Sequence, residues 1–221
     1  RRIGQERLVA EKLDIGAELA DRWYPEMRSV TFSSATMSVG GDFSHFNGAS
    51  GLALLKDGRH REVSLPSGYD YDRNMSVLAV RDLPDPRDRG YLDALVDLLF
   101  DIHVSMGGSV LTLFTNRREM EMAHAALEPR LAARGLTVAM QERGSSVRRL
   151  SRRFVEDRDL SLMALKSFWE GFDAAGDTLR CVVIPKLPFS SPKDPLVQER
   201  SARDRSAWRK WSLPEAVLEG K

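Results

Sequence analysis

Apolar positions change their spacing in an ordered way from about residue 75 onward. Short apolar runs, typical of buried strands, alternate with segments in which apolar residues recur every three or four positions, as on the buried face of a helix. The strand-like runs are 75–80, 109–114, 137–140, 160–165 and 178–184, and the helical segments are 88–105, 117–133, 146–157 and 197–211. This alternation predicts an α/β fold with a doubly wound, mostly parallel sheet.

The pattern before residue 75 is less regular. Residues 3–24 have roughly helical spacing, and Pro25 is expected to end that helix. The run 29–36 is rich in β-branched residues and predicts a buried strand. Residues 38–74 are rich in Gly, Ser, Asp and Asn, which predicts a long irregular connection with a short helix around 43–46.

Composition narrows the class of protein. The 221 residues are 42% hydrophobic and 29% charged, as in ordinary globular proteins, and the net charge of +1 does not indicate a polyanion partner. No apolar run approaches the roughly 20 residues of a membrane-spanning helix, and the N-terminus lacks a signal-peptide core. We therefore expect a cytoplasmic protein without a membrane partner.

Cysteine and histidine give no sign of a metal site. The only cysteine, Cys181, lies in an apolar run, which favours an inert buried thiol and excludes an internal disulfide. It also excludes a cysteine-ligated zinc or iron–sulfur cluster within this chain. The four histidines lack metal-ligand spacing, so we expect no metal site here.

The turn after the apolar run 160–165 carries the densest polar and aromatic chemistry of the chain. Its sequence, from Ser167 to Asp173, is SFWEGFD. Ligands of open α/β sheets bind beyond the carboxyl ends of the strands, so this turn is predicted to face a ligand. Gly171 either permits close backbone approach or merely supplies a positive φ angle.

Several segments, in this order, resemble the second motor domain of the DinG and XPD branch of superfamily two helicases, and the bacterial DinG type in particular. Ser34-Ala35-Thr36 looks like motif III, VLTLFTN (110–116) like motif IV, SFWEGFD (167–173) like motif V, VIPKLPF (183–189) like the segment after motif V, and SLPEAV (212–217) like the helix that leads into motif VI. Asn116 stands where relatives often have Ser. The resemblance covers residues 29–218.

The resemblance implies a RecA-like domain of the P-loop NTPase type over 29–221, truncated before motif VI, with residues 1–28 as a helical lead-in from a preceding domain. The parent protein would be an ATP-dependent DNA helicase that translocates on single-stranded DNA. Its first motor domain would be the partner of this chain and would hold most of the ATP and Mg²⁺. An iron–sulfur cluster or an exonuclease domain, if the parent has one, would lie outside this chain.

The resemblance implies DNA-binding roles for two groups of residues. Thr115 and Asn116 stand where a strand gives way to a helix N-terminus, whose amides attract phosphate; alternatively, Asn116 forms a capping box with Glu119. Ser167, Phe168 and Trp169 would contact the DNA backbone or a base. The alternative is that the two aromatic residues pack inside the turn.

Other residues are assigned to coupling and to the interdomain hinge. Glu170, Gly171 and Asp173 would couple the nucleotide to the DNA groove, although Asp173 could instead cap the next turn. Ser34 and Thr36 would tie the hinge between the motor domains, or bond only to local backbone. Lys186 is either a phosphate contact or a surface lysine.

A basic cluster is the last candidate for a DNA contact. It consists of Arg143, Arg148, Arg149, Arg152 and Arg153. Its charges would track a DNA backbone, or simply form a solvated helix face.

The chain lacks the motifs that cradle a nucleotide. Neither a Gly-x-x-x-x-Gly-Lys-Ser/Thr loop nor an Asp-Glu-Ala-His tetrad occurs in it. We therefore expect no catalytic residue in this chain and no ATP hydrolysis by the isolated chain. The alternative function is a degenerate RecA-like domain that acts only as a nucleic-acid-binding or protein-binding module.

Overall fold

The computed structural model describes residues 10, 12–56, 58–168, 172, 174 and 178–220. The chain divides into two compact units. One unit comprises the described residues of Arg1–Tyr69 and Pro188–Lys221, and the other comprises those of Asp70–Leu187. The predicted division into a lead-in of residues 1–28 and a domain of residues 29–221 stays a prediction.

Helices and strands alternate in the second unit, and further helices belong to the first. The helices are α1 (Ser44–Ser50), α2 (Tyr91–Met106), α3 (Arg117–Ala132), α4 (Val147–Glu156), α5 (Pro195–Arg203) and α6 (Leu213–Glu219), and the strands are β1 (Val110–Leu113), β2 (Thr137–Met140), β3 (Leu160–Ala164) and β4 (Cys181–Val183). Short helical turns lie at Gly16–Glu18, Leu19–Trp23, Tyr24–Glu26, Leu52–Leu54, Tyr71–Asn74, Lys166–Phe168 and Trp208–Ser212.

The four strands form one parallel sheet in the order β2-β3-β1-β4. In its register Leu113 lies beside Ala164, Thr112 beside Val183, and Met140 beside Met163. The carboxyl ends of all four strands therefore meet at one edge of the sheet, called here the carboxyl edge. This arrangement confirms the predicted α/β fold and is consistent with a RecA-like domain.

Helices cover both faces of the sheet, because alternate residues of each strand point to opposite sides. On β3, Leu160, Leu162 and Ala164 pack in a cluster that contains Phe154 of α4. Met163, between them, packs in the cluster that holds the apolar faces of α2 and α3. The central strands β1 and β3 are thus buried on both sides, which explains the nearly continuous apolar run of β3.

Two consecutive glycines shape the connection from α2 to β1. Helix α2 ends at Gly107, whose φ of 65° is left-handed, as is common at helix C-termini. Gly108 follows with φ of 100°, and a Cβ there would lie 2.2 Å from the carbonyl oxygen of Asp159. Only glycine fits at this position, where the start of β1 passes close to the turn before β3.

Two strand predictions are wrong. Residues 29–36 are exposed and form no strand, and the same holds for residues 75–80, where Leu78 is 89% exposed. A β-branched or apolar run becomes a strand only where another strand pairs with it. Within the described part of the chain, neither run lies in the sheet.

The N-terminal helix is shorter than predicted. Of residues 3–24, the described residues before Gly16 are not helical, and the turns from Gly16 to Glu26 include Pro25 rather than ending before it. Among the residues that the structure describes, no helix combines the length and apolar character needed to cross a bilayer.

Candidate functional site at the carboxyl edge of the sheet

The end of β1 presents Thr115 and Asn116, both exposed, at the start of α3. The Asn116 side chain caps the helix, because its Oδ1 accepts a hydrogen bond from the Glu119 N–H at 3.2 Å. The capping alternative is therefore confirmed for the side-chain oxygen. The first amides of α3 still carry the positive end of the helix dipole, which attracts anions. A DNA contact by Thr115 or Asn116 stays a prediction.

The end of β4 is fastened to α3 by an ion pair. Lys186, just beyond β4, pairs with Glu119 in the first turn of α3, and its ammonium group lies 5.0 Å from the centre of the Tyr91 ring. The Tyr91 hydroxyl donates to the carbonyl of Pro185 at 3.3 Å. Burial, together with the charge of Glu119, raises the pKa of Tyr91 to about 12. Lys186 is thus a partly buried, paired cation, and its phosphate contact stays a prediction.

Gln141, which directly follows β2, joins three elements at this edge. Its side chain is buried, and its Oε1 accepts from the Leu165 N–H at 2.9 Å while its Nε2 donates to the Ser167 hydroxyl at 2.7 Å. Its own N–H donates to the carbonyl of Met163 at 2.9 Å, and its carbonyl accepts from Arg117 Nη1 at 3.0 Å. One residue therefore links the turn after β3 to the start of α3.

In the turn after β3, the side chains of Ser167 and Phe168 point to different surroundings. Ser167 is exposed, whereas Phe168 is 2% exposed and packs against the Phe172 ring at 5.4 Å between centroids. Phe172 in turn lies 5.7 Å from the Phe154 ring of α4. This burial favours the packing role of Phe168 over base stacking, since the ring has no open face. Ser167 is accessible to a ligand, and its DNA contact stays a prediction.

The remaining motif V candidates fall in a part of the chain about which the structure says nothing. Trp169, Glu170, Gly171 and Asp173 lie outside the described residues. The DNA contact of Trp169 and the nucleotide coupling assigned to Glu170, Gly171 and Asp173 therefore stay predictions.

Ser34 and Thr36 bond to each other. Their hydroxyls are 3.1 Å apart, and the Thr36 N–H donates to Ser34 Oγ at 3.1 Å. This is a local serine turn, in which the side chain replaces a backbone acceptor. The hinge role of the two residues stays a prediction.

The arginine cluster lies on and just before α4. Arg148, Arg149, Arg152 and Arg153 are exposed on the helix, while Phe154 is buried in the core. Arg149 and Arg153 also line a cavity of about 380 Å³ beside the edge strand β2. Exposure suits a solvated face and a DNA contact equally well, so both alternatives stay open.

Possible metal ligands do not cluster in the described residues. These residues contain no group of three or more His, Cys, Asp or Glu side chains placed to hold a metal ion. The assignment of ATP and Mg²⁺ mainly to the first motor domain stays a prediction.

Gln141 is the site residue that sequence reasoning missed. Its position directly after a strand was the available signal, because polar residues beyond strand ends lie at the ligand-binding edge of an α/β sheet. Its partners Leu165 and Ser167 are 24 and 26 residues away in sequence. Such a network becomes visible only when the strand order is known.

Comparison with known proteins shows which family the sequence resembles. The profile of the helicase C-terminal domain family matches residues 99–221. The chain is 30% identical over 219 residues to the 3'-5' exonuclease DinG of Bacillus subtilis, an alignment that covers 96% of the chain and 23% of that protein. It is 34% identical over 194 residues to the ATP-dependent DNA helicase YoaA of Escherichia coli, covering 86% and 29% respectively.

A mycobacterial relative is similar to a comparable degree. The chain is 30% identical over 196 residues to the ATP-dependent helicase DinG of Mycobacterium tuberculosis, covering 88% of the chain and 28% of that protein. The chain thus spans about a quarter of the length of the curated relatives it matches.

Proposed function

The chain belongs to the helicase C-terminal domain family, and we propose that it acts as the second motor domain of an ATP-dependent DNA helicase that moves along single-stranded DNA. Relatives named as ATP-dependent DNA helicases support ATP-driven unwinding as the reaction. The segments that resemble motifs IV and V support single-stranded DNA as the substrate. In this proposal the carboxyl edge of the sheet holds the DNA backbone, and the protein works in the cytoplasm.

One observation carries the proposal. The end of β1, which resembles motif IV, and the turn after β3, which resembles motif V, follow adjacent strands. Gln141 bonds to Ser167 in that turn and to Arg117, which directly follows the motif IV segment. Grooves for single strands combine hydrogen-bond donors for phosphates with aromatic faces for bases. Exposed Thr115, Asn116 and Ser167 supply polar groups at this edge, beside the N-terminus of α3.

This chain is proposed to contribute only a few residues to the nucleotide site. The first motor domain of the same polypeptide is proposed to hold most of the ATP and Mg²⁺, with Glu170, Gly171 and Asp173 coupling that site to the DNA groove. Bound ATP would supply the free energy of translocation. The residues of the carboxyl edge would hold and release the DNA backbone.

Direct binding tests the proposal. The 221-residue chain is titrated into a fluorescein-labelled oligothymidylate, and anisotropy is measured at several salt concentrations, with a duplex of the same length as the comparison. We expect saturable binding that weakens as salt rises, because phosphate contacts release counterions. Absence of saturable binding at low salt would contradict a DNA-binding role for this chain.

An assay of ATP-driven unwinding by the protein that contains this chain distinguishes a motor domain from the alternative, a module that only binds nucleic acid. A motor requires that a disabling change at the carboxyl edge, such as Asn116→Asp, lowers both DNA-stimulated ATP hydrolysis and unwinding. Binding of single strands without any DNA-stimulated hydrolysis would instead support the binding module.

A further inference from the structure

We infer that Gln141 is a positioning residue that turns the Ser167 hydroxyl into a hydrogen-bond donor for a phosphate oxygen of the bound strand. The inference rests on the proposed function, because it assigns the bound ligand of the carboxyl edge to a nucleic-acid backbone. It adds a residue outside every motif that resembles the family.

The orientation of the Gln141 amide is fixed by its partners. The Leu165 N–H can only donate, so the amide atom that it meets at 2.9 Å is the oxygen, Oε1. The Nε2 atom must then face Ser167 Oγ, 2.7 Å away. Burial of Gln141 and its backbone bond to Met163 hold the side chain in this position.

The direction of this hydrogen bond decides what Ser167 offers to a ligand. A serine hydroxyl has one hydrogen and two lone pairs, and the Gln141 amide occupies a lone pair. The hydroxyl hydrogen is therefore left to donate elsewhere, and Ser167 is exposed at the edge of the sheet. A phosphate oxygen accepts hydrogen bonds and never donates them, so it is the matching partner.

A glutamate at position 141 would reverse the bond. An ionised carboxylate can only accept, so it would still bind the Leu165 N–H but would take the hydrogen of the Ser167 hydroxyl. Ser167 would then present lone pairs to the phosphate. The change keeps the size of the side chain and removes the donor, which makes Gln141→Glu the diagnostic variant.

The chain offers a matched control for the added charge. Gln198, which is exposed on α5, can also be changed to Glu, which adds the same negative charge in the compact unit that does not contain the sheet. The Ser167→Ala variant supplies a background without a hydroxyl, in which nothing remains for residue 141 to orient. Circular dichroism and thermal unfolding show whether each variant is folded.

The test measures the dissociation constant of the chain for a fluorescein-labelled oligothymidylate at one fixed salt concentration. Gln141→Glu is expected to weaken binding about tenfold, the size of one hydrogen bond to a charged acceptor, whereas Gln198→Glu stays within about twofold of wild type. In the Ser167→Ala background, Gln141→Glu is expected to have an effect below about twofold.

Two results would overturn the inference while leaving the proposed function intact. In one, Gln141→Glu binds as tightly as Gln198→Glu; in the other, it costs the same factor with and without the Ser167 hydroxyl, as a pure charge effect would. If Gln141→Glu does not fold, the neutral Gln141→Met variant takes its place, with the same dependence on Ser167 expected. Failure of the wild-type chain to bind contradicts the proposed function and the inference together.

Discussion

Lys186 and Glu119 form an ion pair that joins the end of β4 to the first turn of α3, 67 residues apart in sequence. Glu119 is doubly engaged, because its N–H also donates to the capping oxygen of Asn116. The pair therefore fixes the N-terminus of α3 relative to the sheet. A helix N-terminus attracts anions, so the pair sets the position of a predicted phosphate contact at the carboxyl edge.

Removing the charge of Glu119 should lower the free energy of unfolding. We expect Glu119→Gln to cost about 1–2 kcal/mol, because the partly buried Lys186 loses its partner and α3 loses a favourable charge in its first turn. Chemical denaturation of Glu119→Gln, Lys186→Met and the double variant measures the coupling. A coupling energy of about 1 kcal/mol is expected, and additive effects would show that the pair contributes nothing.

Capping and phosphate binding can be separated at Asn116. Asn116→Ala removes the cap and is expected to destabilise the chain by about 1 kcal/mol, whereas Asn116→Asp keeps a capping oxygen and should leave the stability nearly unchanged. The aspartate places a negative charge at the carboxyl edge, so it should weaken oligothymidylate binding. Equal binding by Asn116→Asp and wild type would exclude a phosphate beside this residue.

Phe168 should behave as a core residue. Truncation to Ala is expected to cost about 3–5 kcal/mol of unfolding free energy, since the ring packs against Phe172 in the cluster of α4 and β3. The milder Phe168→Leu should keep the fold and bind oligothymidylate nearly as wild type does. Weak binding by a folded, stable Phe168→Leu would point to base stacking instead.

A buried histidine gives the chain a defined acid sensitivity. His103 lies in the core, its Nδ1 is 2.9 Å from Ser161 Oγ, and burial lowers its pKa to about 4. The unfolded chain binds a proton at this residue near pH 6.5, so folding stability is fully present above that pH and declines as the pH falls towards 4. The loss attributable to His103 should reach about 3 kcal/mol.

Thermal or urea unfolding between pH 4 and 7 measures this loss. The His103→Leu variant serves as the comparison, because it removes the titrating group while Ser161 keeps its contact with the Val110 N–H. We expect the variant to show a flatter pH dependence over this range. Parallel pH profiles for the two proteins would rule out His103 as the cause.

The isolated 221-residue chain should not hydrolyse ATP, because its sequence contains neither a phosphate loop nor an Asp-Glu-Ala-His tetrad. Phosphate release is measured with and without oligothymidylate. Robust hydrolysis by the purified chain would contradict the assignment of the nucleotide site to another domain.

The sheet was predictable where burial on both faces leaves a mark in the sequence. The runs that became β1 and β3 are almost wholly apolar, and the helices between them show regular spacing and recognisable caps, such as Ser146 at α4. The runs 29–36 and 75–80 look similar, but a strand also needs a neighbour, and sequence periodicity does not reveal one.

The site was predictable only in part for a related reason. Motif resemblance pointed to Asn116 and Ser167, which the fold brings to adjacent strand ends. It gave no indication of Gln141, whose hydrogen bonds depend on the side-by-side placement of β2 and β3. Nor could the sequence show that Phe168 turns inward while Ser167, next to it, faces solvent.

Hydrogen–deuterium exchange of the chain, with and without saturating oligothymidylate, shows whether single-stranded DNA binds at the carboxyl edge. We expect slower exchange on binding in the segments 114–118 and 165–168 at the carboxyl edge. Residues 107–109 and 157–159, at the opposite ends of the strands, should exchange unchanged. Protection confined to those opposite ends, or no protection at all under saturating conditions, would contradict a nucleic-acid site at the carboxyl edge.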